Sequence, residues 1–178
     1  MRLFLAIPIP EKIKLKLEKQ IADIKKDYPQ FNWVSNENFH ITVHFFGERN
    51  DVEKIITKIK NLLWNQSTFY LYSFELDVFV NHKLITYLNF RRQKEIEDLA
   101  YLIKSNFEIN YHPQKFVPHL TLARGPRSSK QQYFALQRKL KKTKIDISFP
   151  VEKLILFESI LTGKKPFYKE IASFSFLK

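Results

Sequence analysis

Two short segments constrain this chain more than anything else in it: His40-Ile41-Thr42-Val43 and His119-Leu120-Thr121-Leu122, 79 positions apart (40 to 119). Each alternates polar with apolar side chains inside a longer apolar run, the pattern of a strand with one buried face. On such a strand His40 and Thr42 point one way while Ile41 and Val43 point to the core. His119 and Thr121 stand in the same relation to Leu120 and Leu122. A lone His-x-Thr carries little information, because any β-rich protein contains such tripeptides. Two copies, each following a helical pattern and a polar or Pro-rich approach, form the chain's one internal repeat. They predict two strands related by a pseudo-two-fold axis, with an imidazole and a hydroxyl from each converging on one pocket.

The surrounding pattern supplies a scaffold for these strands. An apolar strand is expected over residues 3–9, followed by a helix in which Ile13, Leu17, Ile21 and Ile24 recur at helical spacing and which ends near Tyr28-Pro29. An extended piece over 31–34 and a polar turn over 35–38 lead into the first motif strand, closed by Gly47. Asp51 is placed to cap a helix with Val52, Ile55, Ile56, Ile59, Leu62 and Leu63 on its inner face. Residues 69–80 and 84–90, joined by Asn81-His82-Lys83, read as a hairpin, and a helix over 93–107 follows. Pro113 and Pro118 frame the entry to the second motif strand, 119–124. A helix over 129–140 and strands over 145–149, 153–158 and 167–176 complete the order, the last two about a Thr162-Gly163 turn. Many consecutive strands are joined by loops too short for parallel crossovers, so the class is α+β with antiparallel sheets. No flexible linker interrupts the pattern, and residues 1–178 are expected to form a single domain.

Charge narrows the partners. Thirty Lys and Arg against 18 Asp and Glu give a net charge of +12, which concentrates anions at the surface and puts nucleic acid first among macromolecular partners. The alternative is an ordinary lysine-rich solvated surface. Zero cysteines exclude disulfides, thiolate metal sites and a cysteine nucleophile, consistent with a cytoplasmic location. The apolar start contains Pro8 and Pro10 and runs into a charged helical pattern, which reads as a strand rather than a secretory signal. No apolar run reaches the roughly 20 residues of a membrane-spanning helix, so no membrane partner is expected.

Opening a phosphodiester by in-line displacement requires a base for the attacking water, an acid for the leaving oxygen and donors for the non-bridging oxygens. Two histidines and two threonines meet that requirement. Imidazole is suited to both proton roles, since its unperturbed pKa of about 6.5 allows one ring to be neutral and the other protonated near neutral pH. No metal or other cofactor is then needed. His40-x-x-x-His44 looks like half of a metal motif, but four residues of strand span roughly 13 Å, too far for a shared ion. Strict alternation puts His44 on the His40 face and Arg124 on the face opposite His119. His82, in a turn, and His112, beside Pro113, read as surface residues.

The local contexts of these motifs resemble the 2H phosphoesterase superfamily, and within it the RNA 2',3'-cyclic phosphodiesterases of the bacterial and archaeal 2'-5' RNA ligase family. The resemblance spans Arg2-Leu3-Phe4-Leu5-Ala6-Ile7-Pro8, Asn32-Trp33-Val34, Glu37-Asn38-Phe39-His40-Ile41-Thr42-Val43-His44-Phe45-Phe46-Gly47, Phe116-Val117-Pro118-His119-Leu120-Thr121-Leu122-Ala123-Arg124 and Leu156-Phe157-Glu158-Ser159-Ile160-Leu161, with Tyr168 beyond. It implies a bilobal, pseudo-two-fold fold in which two antiparallel sheets flank a groove with helices outside. It also implies hydrolysis of 2',3'-cyclic phosphate ends of RNA, tRNA fragments included, to 2'-phosphomonoesters by a monomer. Under that resemblance His40 is the proton donor, His119 the proton acceptor, and Thr42 and Thr121 hold the non-bridging oxygens. Arg124 and Lys115 are the substrate contacts it implies. Where this family often carries arginine before Phe-x-Pro-His, this chain has Lys115, which keeps the charge but lacks the bidentate fork. Arg127 and Lys130 add charge nearby in sequence. Three alternatives remain: joining of RNA ends through a 2'-5' bond, hydrolysis of a small cyclic nucleotide, and RNA binding without turnover.

Overall fold

The computed structural model describes residues 1–108, 116–163 and 166–178. The chain opens with β1 (Arg2–Pro8), α1 (Glu11–Gln20), α2 (Ala22–Asp27), the two-residue β2 (Asn32–Trp33), a single 3-10 turn (Asn36–Asn38) and β3 (His40–Glu48). It continues through α3 (Val52–Leu63), the hairpin β4 (Phe69–Asn81) and β5 (Lys83–Phe90), α4 (Lys94–Phe107) and β6 (His119–Gly125). The remaining elements are α5 (Lys130–Lys142), β7 (Ser148–Val151), β8 (Lys153–Leu161) and β9 (Pro166–Ser175).

These strands form two sheets, one ordered β3-β1-β8-β9 and the other β2-β6-β5-β4-β7, and every pairing within them is antiparallel. The two motif strands lie in different sheets. Neither half of the chain owns a sheet: β2, from the first half, is zipped onto β6, while β8 and β9, from the end, complete the sheet that holds β1 and β3. Among the described residues no helix is long and apolar enough to cross a membrane.

The helices follow their apolar spacing, with two differences from the sequence reading. The first helical pattern is broken at Ile21 (φ −95°, ψ 1°), dividing it into α1 and α2 while leaving Leu17, Ile21 and Ile24 buried in the core. Asp51 precedes α3 but does not cap it, because its carboxylate is taken by the Arg49 guanidinium at 2.8 and 2.6 Å. α5 has the cap its sequence encodes. The Gln132 amide donates to the Ser129 hydroxyl, and the Ser129 amide donates to the Gln132 side-chain oxygen, a capping box that satisfies two otherwise orphan donors. Lys139 on α5 pairs with Asp27 on α2, and Gln20 exchanges hydrogen bonds with the Asp146 backbone, fixing the N-terminal helices beside α5 and the approach to β7.

One contact seats β2 against β6 more tightly than strand pairing alone. Gly125 ends β6 directly under the Phe31 ring, where an added methyl group would lie 2.5–2.8 Å from three ring carbons. No alanine fits there without displacing that buried ring. Gly125→Ala is therefore expected to destabilise the protein by about 1–3 kcal/mol through overpacking, a fall of roughly 3–10 °C in thermal midpoint for a chain of this size. In a Phe31→Ala background the same substitution should cost almost nothing, and thermal unfolding of the four proteins of that cycle measures the coupling.

Candidate active site

The sheets face each other where β3 meets β6, and between them lies a cleft of about 860 Å³. His40 and Thr42 enter it from β3, and His119, Thr121 and Arg124 enter it from β6. The four motif side chains therefore do converge, one pair from each wall.

Both imidazoles are held in the same way. His40 Nδ1 lies 2.7 Å from the Asn38 carbonyl and His119 Nδ1 lies 3.0 Å from the Val117 carbonyl, in each case the residue two positions earlier. A carbonyl only accepts, so Nδ1 carries the proton and donates it, and Nε2 is the nitrogen left for chemistry. On the His40 side the approach is anchored again: the Asn38 side-chain amide donates to the Pro166 carbonyl at the start of β9, 3.1 Å away. Each ring also has an aromatic neighbour. Tyr168 stands edge-on to His40 at 5.2 Å and Tyr87 stands edge-on to His119 at 5.7 Å, while Phe4 packs on His40 at 5.0 Å.

Arg124 reaches the cleft because β6 is bulged. In the pairing of β6 with β5, Thr121 stands opposite Tyr87 and Ala123 opposite Thr86, so two residues of β6 occupy one step of its partner. Leu122 and Ala123 both turn inward and are buried, after which Arg124 emerges on the His119 face. β3 does the same at the matching place. Thr42 pairs with Ala6 and His44 with Leu5, so Val43 and His44 are both buried and Phe45 emerges on the cleft side. Strict alternation thus misplaces Arg124, which shares the face of His119, and does not foresee that His44 is buried, at the margin of the cleft beside Lys104 and Glu108. His44 packs against Phe46 at 4.6 Å and Phe107 at 6.0 Å, with Glu108 at 3.5 Å. Burial lowers its pKa, opposed by Glu108 and assisted by Lys104.

Of the other expected contacts, Lys115 and His112 lie outside the described residues. Arg127, on the approach to α5, and Lys130, its first residue, are exposed and do not line the cleft, and His82 occupies the β4–β5 turn at φ 54°. Arg2 and Lys104 line the cleft instead, together with Tyr168 and one acid, Glu108. Sequence reasoning gave these residues no role; Arg2 and Tyr168 were noted only within the family resemblance, and Lys104 and Glu108 carried no signal. Among the described residues no group of three or more His, Asp or Glu side chains is arranged to hold a metal ion.

Burial governs the ionisation of the groups around His40. The His40 pKa is lowered to about 4, chiefly by burial, with the Asn38 carbonyl opposing and the charges of Arg124 and His119 adding to the depression. Tyr168 is raised, again chiefly by burial, with Arg124 and Arg2 pulling the other way, so its hydroxyl keeps its proton and can donate.

This arrangement has relatives. The family model of the 2'-5' RNA ligase superfamily matches residues 13–161. The chain belongs to that superfamily, the 2H phosphoesterases. A protein of Thermotoga maritima named RNA 2',3'-cyclic phosphodiesterase is 29% identical over 183 residues, covering 95% of this chain and 92% of the relative. A protein of the same name from Methanocaldococcus jannaschii is 28% identical over 178 residues, covering 96% and 98%. Among solved structures, TT0787 of Thermus thermophilus superposes with a TM-score of 0.75 at 21% identity, covering 98% of this chain and 97% of that one. E. coli LigT complexed with 3'-AMP gives 0.76 at 18% identity, covering 99% and 98%, and both confirm the two-sheet fold of this superfamily.

In the free protein His40 is expected to titrate near pH 4. Arg124→Met and added inorganic phosphate should each raise that value, the first by removing a cation and the second by supplying an anion, as followed by ring nitrogen NMR. Because the folded value lies below the unfolded one of about 6.5, His40 contributes stability that is fully present above pH 6.5 and is lost as pH falls towards 4. His40→Asn should flatten that part of the stability profile in denaturant titrations.

Proposed function

We propose that this protein opens 2',3'-cyclic phosphate ends of RNA to 2'-phosphomonoesters, using its two imidazoles as acid and base. The observation that carries the reading is the matched tethering of His40 and His119: two rings in opposite walls of one cleft, each with Nδ1 bonded to a carbonyl and Nε2 left for proton transfer. The names borne by the curated relatives point to the same substrate.

In the proposed reaction His119 Nε2 takes a proton from water as the water oxygen bonds to phosphorus. The bond from phosphorus to the 3'-oxygen breaks in line with it, and His40 Nε2–H delivers a proton to that oxygen. The phosphate stays on the 2'-oxygen. Thr42 and Thr121 donate to the two non-bridging oxygens, and Arg124 offsets the charge that builds there. The two rings finish with their protonation states exchanged and return through solvent. In the empty cleft His40 is neutral at ordinary pH, so its role as donor requires it to take up a proton from solvent as the substrate binds. The cyclic phosphate carries a negative charge and restores the proton affinity that burial and Arg124 remove.

Ligation would use the same protons with an RNA 5'-hydroxyl in place of water; hydrolysis is preferred because water is always in excess. The deciding digest uses a short RNA ending in 2',3'-cyclic phosphate in the presence of EDTA, with 2'- and 3'-phosphate products resolved. A 2'-phosphate is expected from the native protein. His40→Ala and His119→Ala should each lose roughly 10²- to 10⁴-fold in kcat while keeping the native circular dichroism. Loss of activity in EDTA with recovery on adding a divalent metal would overturn the mechanism.

The assignment of donor and acceptor has its own test. Catechol cyclic phosphate releases a phenolate, which needs little protonation as it departs. His40→Ala should therefore lose far less on catechol cyclic phosphate than on a nucleoside 2',3'-cyclic phosphate, whereas His119→Ala should lose heavily on both. The opposite pattern would exchange the two roles.

A further inference from the structure

The catalytic wall of the five-stranded sheet extends well beyond the cleft, and the register shows which side chains share its face. Asn89 pairs with His119 and Tyr87 with Thr121 across β5 and β6. One strand further, Asp77 pairs with Tyr87, while Ser73 pairs with Phe90 and Leu76 with Leu88 on the buried side. That shift leaves Phe74 and Glu75 together opposite Asn89, on the face of His119. From Phe74 back along β4, Tyr72 and Tyr70 continue on this face, since Phe69, Leu71 and Ser73 between them point to the core. The three aromatic rings are 62%, 41% and 51% exposed, in the order Phe74, Tyr72, Tyr70. A solvated strand face has no folding reason to carry three of them at consecutive outward positions.

We infer that Phe74, Tyr72 and Tyr70 form a stacking track for the single-stranded RNA on the 5' side of the reacting phosphate. The track is continuous with the site: with strands about 4.8 Å apart, Phe74 stands about 10 Å from His119, and Tyr70 is four residues, about 13 Å, further on. Tyr70 and Tyr72 hold their rings 28° apart in plane with centroids 6.2 Å apart, both offering a face to a base. Three exposed rings on one sheet correspond to the two or three bases that sheet-based single-strand readers stack.

Charge and edge chemistry favour RNA over a second copy of this chain. Arg91, exposed, follows β5 and donates its amide to the Tyr72 carbonyl at 2.8 Å, so the residue across from the middle ring is a basic one. The acids of this face, Glu75 and Asp77, lie on the cleft side of β4, and the Asp77 carboxylate accepts the Val78 amide at 2.8 Å. A strand of RNA leaving His119 therefore passes Asn89 to Phe74, where Glu75 flanks its entry, and turns along Tyr72 and Tyr70, away from both acids. The neighbouring edge strand β7 is short and carries Pro150 opposite Tyr70, which discourages pairing with another chain.

The inference rests on the cleft holding the cyclic phosphate, and the experiment separates the two. Values of kcat/KM are measured for cytidine 2',3'-cyclic phosphate and for oligouridylates of increasing length with the same end, using the native protein and Tyr72→Ala/Phe74→Ala. Binding of 5'-fluorescein hexauridylate with an ordinary 3'-hydroxyl is measured by anisotropy, and sedimentation reports association. Native kcat/KM should rise with length over the first few nucleotides. The double variant should lose about tenfold or more per ring on oligomers, match the native protein on the mononucleotide, and bind the hexamer correspondingly more weakly. Equal native rates on mononucleotide and oligomer, with equal hexamer binding by the variant, would overturn the track while leaving the proposed reaction intact. If no cyclic phosphate is opened at all, the reaction fails and hexamer binding alone decides the track. A native dimer that the double variant dissolves, with hexamer affinity unchanged, would make the stripe a self-association surface and also overturn it.

Discussion

Two paired β-bulges set the geometry of this protein. A strand that alternates without interruption can present only every second residue to a cleft, so a His-x-Thr strand offers a histidine, a threonine and then whatever lies two positions on. By inserting one residue after the threonine, both motif strands send two successive side chains inward and bring the next one out. Val43 with His44, and Leu122 with Ala123, are the inward pairs, and each is followed by a residue that faces the cleft, Phe45 on one wall and Arg124 on the other. The duplication is thus geometric as well as sequential, and its two copies have diverged where it matters chemically. One wall presents an aromatic ring and the other a guanidinium.

The walls are held together by strand exchange between the halves of the chain. β2 belongs by sequence to the first motif but is paired with β6, and the Val34 amide donates to the Leu122 carbonyl at the bulge itself, 2.8 Å away. From there only the 3-10 turn separates the chain from His40, so the second bulge and the first histidine are linked by a few residues of fixed backbone. The Asn38 amide then ties that turn to β9 of the other sheet, while its carbonyl orients His40. A shift of either sheet would move both imidazoles relative to each other. The close seat of Phe31 over Gly125 opposes such a shift at the end of β6.

Much of this was legible in the sequence, for reasons that also explain what was not. The strands and helices follow apolar periodicity, which reports burial, and the twin motifs stand out because a repeated polar pair inside a buried strand needs a common cause. The bulges follow a different rule. They turn on one extra residue, and their only trace is two neighbouring inward side chains, plain in Leu122-Ala123 but hidden in Val43-His44, where the second is a histidine. Alternation therefore put that histidine on the His40 face, whereas its ring is buried against Phe46 and Phe107 at the margin of the cleft. Contacts between residues distant in sequence were equally invisible: Tyr168 beside His40 depends on the pairing of β8 with β9 and of β8 with β1, and Asp51 was lost as a helix cap because Arg49, two residues away, binds its carboxylate more strongly than the helix amides do.

The arrangement carries a built-in conflict that bears on how such a site works. Holding the phosphate of the proposed substrate calls for positive charge, which Arg124 and Arg2 bring to the cleft, but the charge of Arg124 also drives protons off the nearby His40 imidazole. Burial of His40 between Phe4 and Tyr168 adds to the effect, so the ring is neutral when the cleft is empty. A neutral ring loses less free energy on burial than a charged one, which lets the fold keep His40 among aromatic neighbours without a carboxylate partner. An anionic substrate reverses both influences at once: it screens the arginines and pairs with the imidazolium. In the proposed reaction the ring is then protonated, and able to donate, only where the leaving oxygen is present to receive its proton. Replacing Arg124 by a neutral residue would ease protonation of His40 while removing the charge that offsets the transition state. In the proposed reaction the guanidinium must therefore lie close enough to steady the phosphate oxygens yet act on the opposite wall's histidine only through the cleft, and the bulge in β6 is what brings it into the cleft.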